Sequence, residues 1–314
     1  MGNKRKKISS AIGRVSEVLM YNMDLILGTA LWGWTVPENT CFKILDEFYQ
    51  SGFRGIDTAT NYPINKDKRY FRFAETVLKK WIDANGVNDL KVTIKTGSID
   101  NKGLLENNLT YSFLVMSHEY YREKFENNLD TFMVHWDNRD DEESILKTID
   151  SLKIIRKKCR VGLSGIKNPG IYFKYLKKTD TVSSIQIKHN IFESHYARYS
   201  HFHDLVSFVA YGINVGGLKF DNKYHTSSSI SVRSVNTSSY QHCLADLQSL
   251  ISDSKICRSF NDVSMVYAIN SPGISGIISG ASSKEQIKET IDSFHNLLQG
   301  DTSTLYHRLL EIRK

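Results

Sequence analysis

The stretch DTFMVHWDNRDDEESILKTIDSLKIIRKKCRVGLS, residues 130–164, holds the pattern that decides the fold. It opens on a short apolar run at 130–135 and closes on another at 160–164. Between them, over 143–157, apolar residues recur at three- and four-residue spacing, which predicts an amphipathic helix. The flanking runs are rich in β-branched and aromatic residues, as strands buried on both faces are. The unit is strand, helix, strand.

The same rhythm continues in both directions. Further candidate strands are 24–28 (DLILG), 52–57 (GFRGID), 91–95 (KVTIK), 183–188 (SSIQIK), 206–211 (VSFVAY) and 276–280 (GIISG). Helical spacing is clearest over 41–49, 71–82, 120–127 and 284–298. Strands alternating with helices, without an internal linker rich in Gly, Pro or Ser, predict a (β/α)8 TIM barrel, an α/β fold. An open doubly wound sheet is the competitor, but no G-x-G-x-x-G follows the first strand. Residues 13–23 are expected to form an N-terminal β-hairpin plugging the bottom of the barrel. One domain over 1–314 is expected, with 1–12 as a flexible basic arm. The long Ser-, Gly- and Asn-rich stretch 212–239 begins where the seventh strand ends, the catalytic end of a barrel, and a loop of that length is more often functional than idle.

Composition narrows the function. The 314 residues are 40% hydrophobic, enough for a large core, and no apolar run approaches the ~20 residues of a membrane span. The net charge is +7, but Lys4, Arg5, Lys6 and Lys7 supply four of those charges. A near-neutral body with a short basic arm is not the footprint of a nucleic-acid binder. Cys41, Cys159, Cys243 and Cys257 form no C-x-x-C, which suits a reducing cytoplasm rather than a disulfide scaffold or a zinc site. None of the ten histidines pairs into H-x-x-x-H, so no metal is expected.

In a parallel barrel, polar residues at the C-terminal ends of strands converge. Those ends carry Asp57, Lys95, His135, Ser164, Gln186 and Tyr211, with Tyr62 five residues beyond Asp57. Singly, each has a plain structural role: a cap, a snorkelling lysine, a satisfied core histidine. Their occurrence at successive strand ends is what points to a site.

The segments GFRGIDTATNYP, KVTIKTG and LDTFMVHWDN resemble the three catalytic segments of the aldo-keto reductase superfamily. The closing run SPGISGIISGASSKEQIKE resembles its cofactor-phosphate segment. The resemblance runs from about Leu25 to Asp292. It implies a catalytic tetrad of Asp57, Tyr62, Lys95 and His135, with hydride from the C4 carbon of a reduced nicotinamide. Tyr62 is then the proton donor, Lys95 its activating ammonium, Asp57 the anchor of Lys95, and His135 the group that orients the carbonyl. It also implies cofactor contacts at Ser164, Gln186, Tyr211 and Gly212, with Gly280, Ser282, Lys284 and Gln286 gripping a 2′-phosphate. A cation and hydroxyls there favour NADPH over NADH. Trp32, Trp34 and Trp136 are expected to wall the substrate pocket, and Asn138 and Arg139 either to contact a polar or anionic substrate or to serve only the loop.

Two positions depart from the family pattern. Gly165 stands where a carboxamide-binding Asn is usual, and Thr290 where an Asn near the adenine is usual. Restoring Asn at 165 tightens cofactor binding if the gap is empty, and loosens it if glycine is needed there or another group fills it. The expected activity is NADPH-dependent reduction of a small aldehyde or ketone, sugar-derived ones included, in the cytoplasm. An NADPH-binding regulatory subunit with little turnover is the alternative. A Schiff-base barrel using Lys95 as nucleophile is a third reading.

Overall fold

The computed structural model describes residues 23–102, 107–226 and 228–313. The expected basic arm, and the expected hairpin apart from Met23, lie outside the described residues. Eight strands form a closed, all-parallel barrel in sequence order: β1 (Asp24–Gly28), β2 (Gly55–Ala59), β3 (Lys91–Thr96), β4 (Leu129–Asp137), β5 (Arg160–Ile166), β6 (Ser184–Lys188), β7 (Ser207–Tyr211) and β8 (Ile274–Ser279). β8 pairs with β1 to close it. The helices are α1 (Glu38–Gln50), α2 (Phe73–Asn85), α3 (Tyr111–Phe125), α4 (Glu142–Ile155), α5 (Pro169–Leu176), α6 (Ser229–Val232), α7 (Gln241–Asp253), α8 (Phe260–Asn270), α9 (Lys284–Gln299) and α10 (Ser303–Ile312). The fold is the (β/α)8 TIM barrel.

Alternation along the strands sorts residues into two layers. Ile56, Val92, Ile94, Phe132, Val134, Val161, Leu163, Ile185 and Phe208 are buried together with the apolar faces of the helices. The intervening positions carry the interior and, at its upper end, the polar groups. The interior is tight at Gly162: a Cβ there would lie 2.5 Å from Met133 Cε and 2.9 Å from the Ser184 carbonyl oxygen. Glycine at 162 therefore leaves the space that the methionine fills.

Element edges depart from expectation where tertiary packing overrides local pattern. β2 starts at Gly55 rather than at residue 52, because 51–54 turn the chain out of α1, with Gly52 at φ +90°. α3 begins nine residues before the expected 120. α8 shows no amphipathic period because it is buried almost all round, from Phe260 through Ala268. α1 shows the period well: Cys41, Ile44, Leu45 and Phe48 form its buried stripe.

One polar knot fixes the segment that follows β2. Glu75 on α2 is fully buried and accepts from the Tyr121 hydroxyl at 2.7 Å, Lys124 Nζ at 2.8 Å and Arg72 Nε at 3.1 Å. Arg72 takes a left-handed backbone, φ +66°, and donates its N–H to the Thr60 carbonyl at 2.8 Å. The Ala74 N–H reaches the Tyr62 carbonyl at 3.3 Å. A buried carboxylate thus ties α3 and the start of α2 to the loop carrying Tyr62. Glu75→Ala leaves Arg72 and Lys124 without their counter-charge and should destabilise the fold by about 3 kcal/mol, read as a lower urea midpoint.

Candidate active site

Strand register builds the site. β4 pairs His135 with Ser164 on β5, and β5 pairs Ser164 with Gln186 on β6, so the three lie in one row across neighbouring strands. Asp57 lies opposite Thr93, and Lys95 is opposite Ala59, two positions on from Asp57 along β2. All of the strand-end groups except Tyr211 are buried, and Lys95 and Asp57 are each only 2% exposed.

The centre is a closed set of polar contacts. The Lys95 ammonium donates to Asp57 Oδ2, and Gln186 Nε2 donates to Asp57 Oδ1 at 2.5 Å. Tyr62 stands beside the same ammonium, with Lys95 Nζ 5.2 Å from the centre of its ring. Burial alone would push the Lys95 ammonium down, but the Asp57 carboxylate, with Tyr62 behind it, holds it above the ordinary lysine value. A lysine held charged is a poor amine nucleophile, which disfavours the Schiff-base reading.

Tyr62 is half-buried on the loop after β2. That loop is held by Thr60 N–H to the Lys95 carbonyl at 3.0 Å and Tyr62 N–H to the Ala59 carbonyl at 3.1 Å. Burial first, then the positive charges of Lys95 and Arg233, hold the His135 imidazole well below the usual histidine range. The ring is therefore neutral, and its Nδ1 is buried without a partner.

Beside this centre lies a cavity of about 310 Å³, bounded by Trp136, Gly165, Gln186 and Tyr211 among others. Gln186 Oε1 is buried without a partner, an acceptor left open once the amide nitrogen is taken by Asp57. Burial, with Tyr199 and Tyr62 nearby, raises the Tyr211 phenol well above its ordinary range, so the ring stays neutral. Gly212 follows at φ +67°, and its carbonyl accepts from Asn190 Nδ2 at 3.1 Å.

The segment after β8 is ordered by its own groups. Ser283 caps α9, accepting from the Gln286 N–H. Gln286 Oε1 accepts from both the backbone and the hydroxyl of Ser282, at 2.7 and 2.9 Å. Lys284 Nζ lies 3.2 Å from Glu47 on α1. Gly280 lies against Gly28 of β1, where a Cβ at 280 would sit 3.5 Å from the Gly28 carbonyl oxygen. Thr290 is on the buried face of α9 with Ile287, Ile291 and Phe294, so it packs in the core.

One expectation needs correcting, and two positions left open by the sequence are decided. Trp32 does not wall the pocket: it is 0% exposed and joins the core, whereas Trp34 and Trp136 keep exposed surface. Arg139 is committed to a structural network. It grips buried Asp137 through Nε at 2.9 Å and Nη2 at 2.8 Å and also donates to Thr148, while Tyr172 donates to the same carboxylate at 2.6 Å. Gly165 leaves no empty gap. It sits at φ +69°, and a Cβ there would come within 2.5 Å of the Trp136 indole, itself on a residue at φ +61°.

Lys167, Arg198 and Arg233 were not singled out from the sequence, although the first two border the cavity and the third acts electrostatically on His135. Lys167 follows β5, Arg198 lies in a short 3₁₀ segment and Arg233 ends the single turn α6, so no periodicity fixes their side chains' positions. Gly165→Asn should cost about 1–3 kcal/mol in stability through collision with Trp136, measured by thermal or urea denaturation. An unchanged midpoint would mean that the indole swings aside freely.

Comparison with known proteins agrees with this architecture. Residues 24–307 match the model of the Aldo/keto reductase family. A stretch of 76 residues, 23% of the chain, is 37% identical to an uncharacterized 11.2 kDa protein of Pseudescherichia vulneris and covers 70% of it. Among solved structures, the fold is similar to aldo-keto reductase AKR11C1 from Bacillus halodurans in its holo form. The TM-score is 0.67 at 17% identity, over 93% of this chain and 92% of that one.

Proposed function

The chain belongs to the aldo/keto reductase family, and from that premise we propose that it is an NADPH-dependent reductase of small aldehydes and ketones. The observation that carries this reading is the buried Asp57–Lys95 pair with the Lys95 ammonium beside the Tyr62 ring, next to a neutral His135. Such a set moves a proton to a carbonyl oxygen and stabilises the charge that develops there.

The residues present fit a nicotinamide. The unpartnered Gln186 Oε1 can accept from a carboxamide N–H, the Ser164 hydroxyl lies next to it in register, and Tyr211 borders the same cavity with its ring. When bound in reduced form, the cofactor supplies hydride to the carbonyl carbon. The chain supplies the rest. His135, neutral, can donate from a ring N–H to the carbonyl oxygen without bringing a second positive charge beside Lys95. Tyr62 transfers its hydroxyl proton to the developing alkoxide. Lys95 stabilises the phenolate left behind, and Asp57, pinned by Gln186, keeps the ammonium in place. Trp34 and Trp136 give the substrate an aromatic wall.

At the other end of the cofactor, Ser282, Lys284 and Gln286 at the start of α9 are proposed to hold the 2′-phosphate. The N-terminus of a sixteen-residue helix favours an anion. Lys284 is exposed and, among the described residues, is partnered through an ion pair with Glu47, a contact weak enough for a phosphate to displace. A reducing, cytoplasmic setting suits four cysteines that are all unpaired. Among the described residues, no helix is long and apolar enough to cross a membrane.

Tyr62→Phe should lower carbonyl-dependent NADPH oxidation by about 10²–10⁴-fold while leaving the NADPH fluorescence titration unchanged. Reduction at near the wild-type rate would remove Tyr62 from the acid role. Binding of NADPH by wild type without turnover of any test carbonyl would favour the regulatory-subunit alternative. Lys284→Ala should weaken NADPH about tenfold while NADH is held as before, because only NADPH carries the phosphate.

A further inference from the structure

The cavity beside Tyr211 extends outward between the ends of β5 and β6, and its rim is cationic. Lys167, from the loop after β5, and Arg198, from the 3₁₀ segment Tyr196–Phe202 after β6, line it together with Asn138 and His195. Among the described residues, no Asp or Glu lines it. The nearby carboxylates pair with cations of this region: Asp140 with Lys167, and Glu193 with His195 at 2.9 Å and Lys188 at 2.6 Å. Arg198 has no carboxylate within ion-pair distance among the described residues. Its Nη2 donates to the Lys167 carbonyl at 2.6 Å, which ties the two cationic segments together and leaves the rest of the guanidinium fork to other acceptors.

The position of the rim matters as much as its charge. On the reading above, the cofactor runs from Gln186 and Tyr211 on β6 and β7 toward the start of α9 after β8. Its phosphates then lie on the far side of Tyr211 from the β5–β6 rim. The cations of that rim have no partner in the cofactor.

Resting on the reductase reading, we propose that this rim is a substrate subsite, and that the carbonyl substrate carries an oxyanion, a carboxylate or a phosphate, held by Arg198 with Lys167. Arg198 offers the planar fork that matches either group. Lys167, paired with exposed Asp140, adds a point charge that the anion can share. With the nicotinamide taking the Gln186 and Tyr211 side of this cavity of about 310 Å³, the part left toward the rim suits a short substrate in which a few carbons separate the carbonyl from the anion.

The test compares matched carbonyls that differ only in charge: succinic semialdehyde against butanal, and glyceraldehyde 3-phosphate against glyceraldehyde. The quantity read is the ratio of kcat/KM within each pair, for wild type, Arg198→Met and Arg198→Lys. The proposal expects wild type to prefer the charged member of at least one pair, and the pair concerned tells carboxylate from phosphate. Arg198→Met should lower that ratio about tenfold or more, with partial recovery in Arg198→Lys. Ratios near one in both pairs, or a ratio unchanged by Arg198→Met, would overturn it.

Calorimetric titration with succinate and with inorganic phosphate gives a readout without turnover. Binding by wild type that is lost in Arg198→Met and weakened in Lys167→Met supports the subsite, and no binding of either anion counts against it. If none of the four carbonyls is reduced with NADPH or NADH, the reductase reading fails, and the titration alone then decides whether the rim binds anions.

Discussion

The active end of the barrel depends on one buried ion pair. Taking the Lys95 ammonium and the Asp57 carboxylate out of water costs several kcal/mol each, and the pair survives because each finds the other and further polar partners. Gln186 closes the remaining side of the carboxylate from a strand across the barrel. Three strands therefore meet at Asp57. The stability given up to bury these charges becomes a preorganised field around Tyr62, which an exposed pair in water could not supply. Burial, reinforced by the Lys95 charge, keeps His135 neutral.

A second buried charge does mechanical work at a distance. Glu75 makes no contact with the pair, yet through Arg72 it holds the loop on which Tyr62 rides. The two clusters divide the labour: one sets the charge around the tyrosine, the other its position. The Asp137–Arg139–Tyr172 network plays the same part below Trp136, anchoring the end of β4 to α5.

Much of this was legible in the sequence, for reasons that differ by element. The strands could be read because burial on both faces makes them continuous apolar runs, and the polar residue ending each run marked Asp57, Lys95, His135, Ser164 and Gln186. Tyr62, on a loop five residues beyond Asp57, took its role as proton donor only from resemblance to a family. α8 could not be read because burial all round erases the helical period, and α6 is a single turn without a pattern. Trp32 shows the limit of reasoning by residue type. A tryptophan just after a strand can wall a pocket or fill the core, and only the packing around β1 decides. Arg139 was illegible for a related reason: its partner, Asp137, is two residues away on a chain whose local turn cannot be read from composition.

The contact between Trp136 and Gly165 has a consequence for how this sequence can change over generations. The indole occupies the volume in which any larger residue at 165 would begin. A lineage cannot regain a side-chain amide at 165 in one step without passing through a crowded, less stable intermediate. Position 136 has to change first, and losing the tryptophan removes a wall of the cavity. The order of the two substitutions is therefore constrained, and drift at 165 stays locked while the tryptophan is kept.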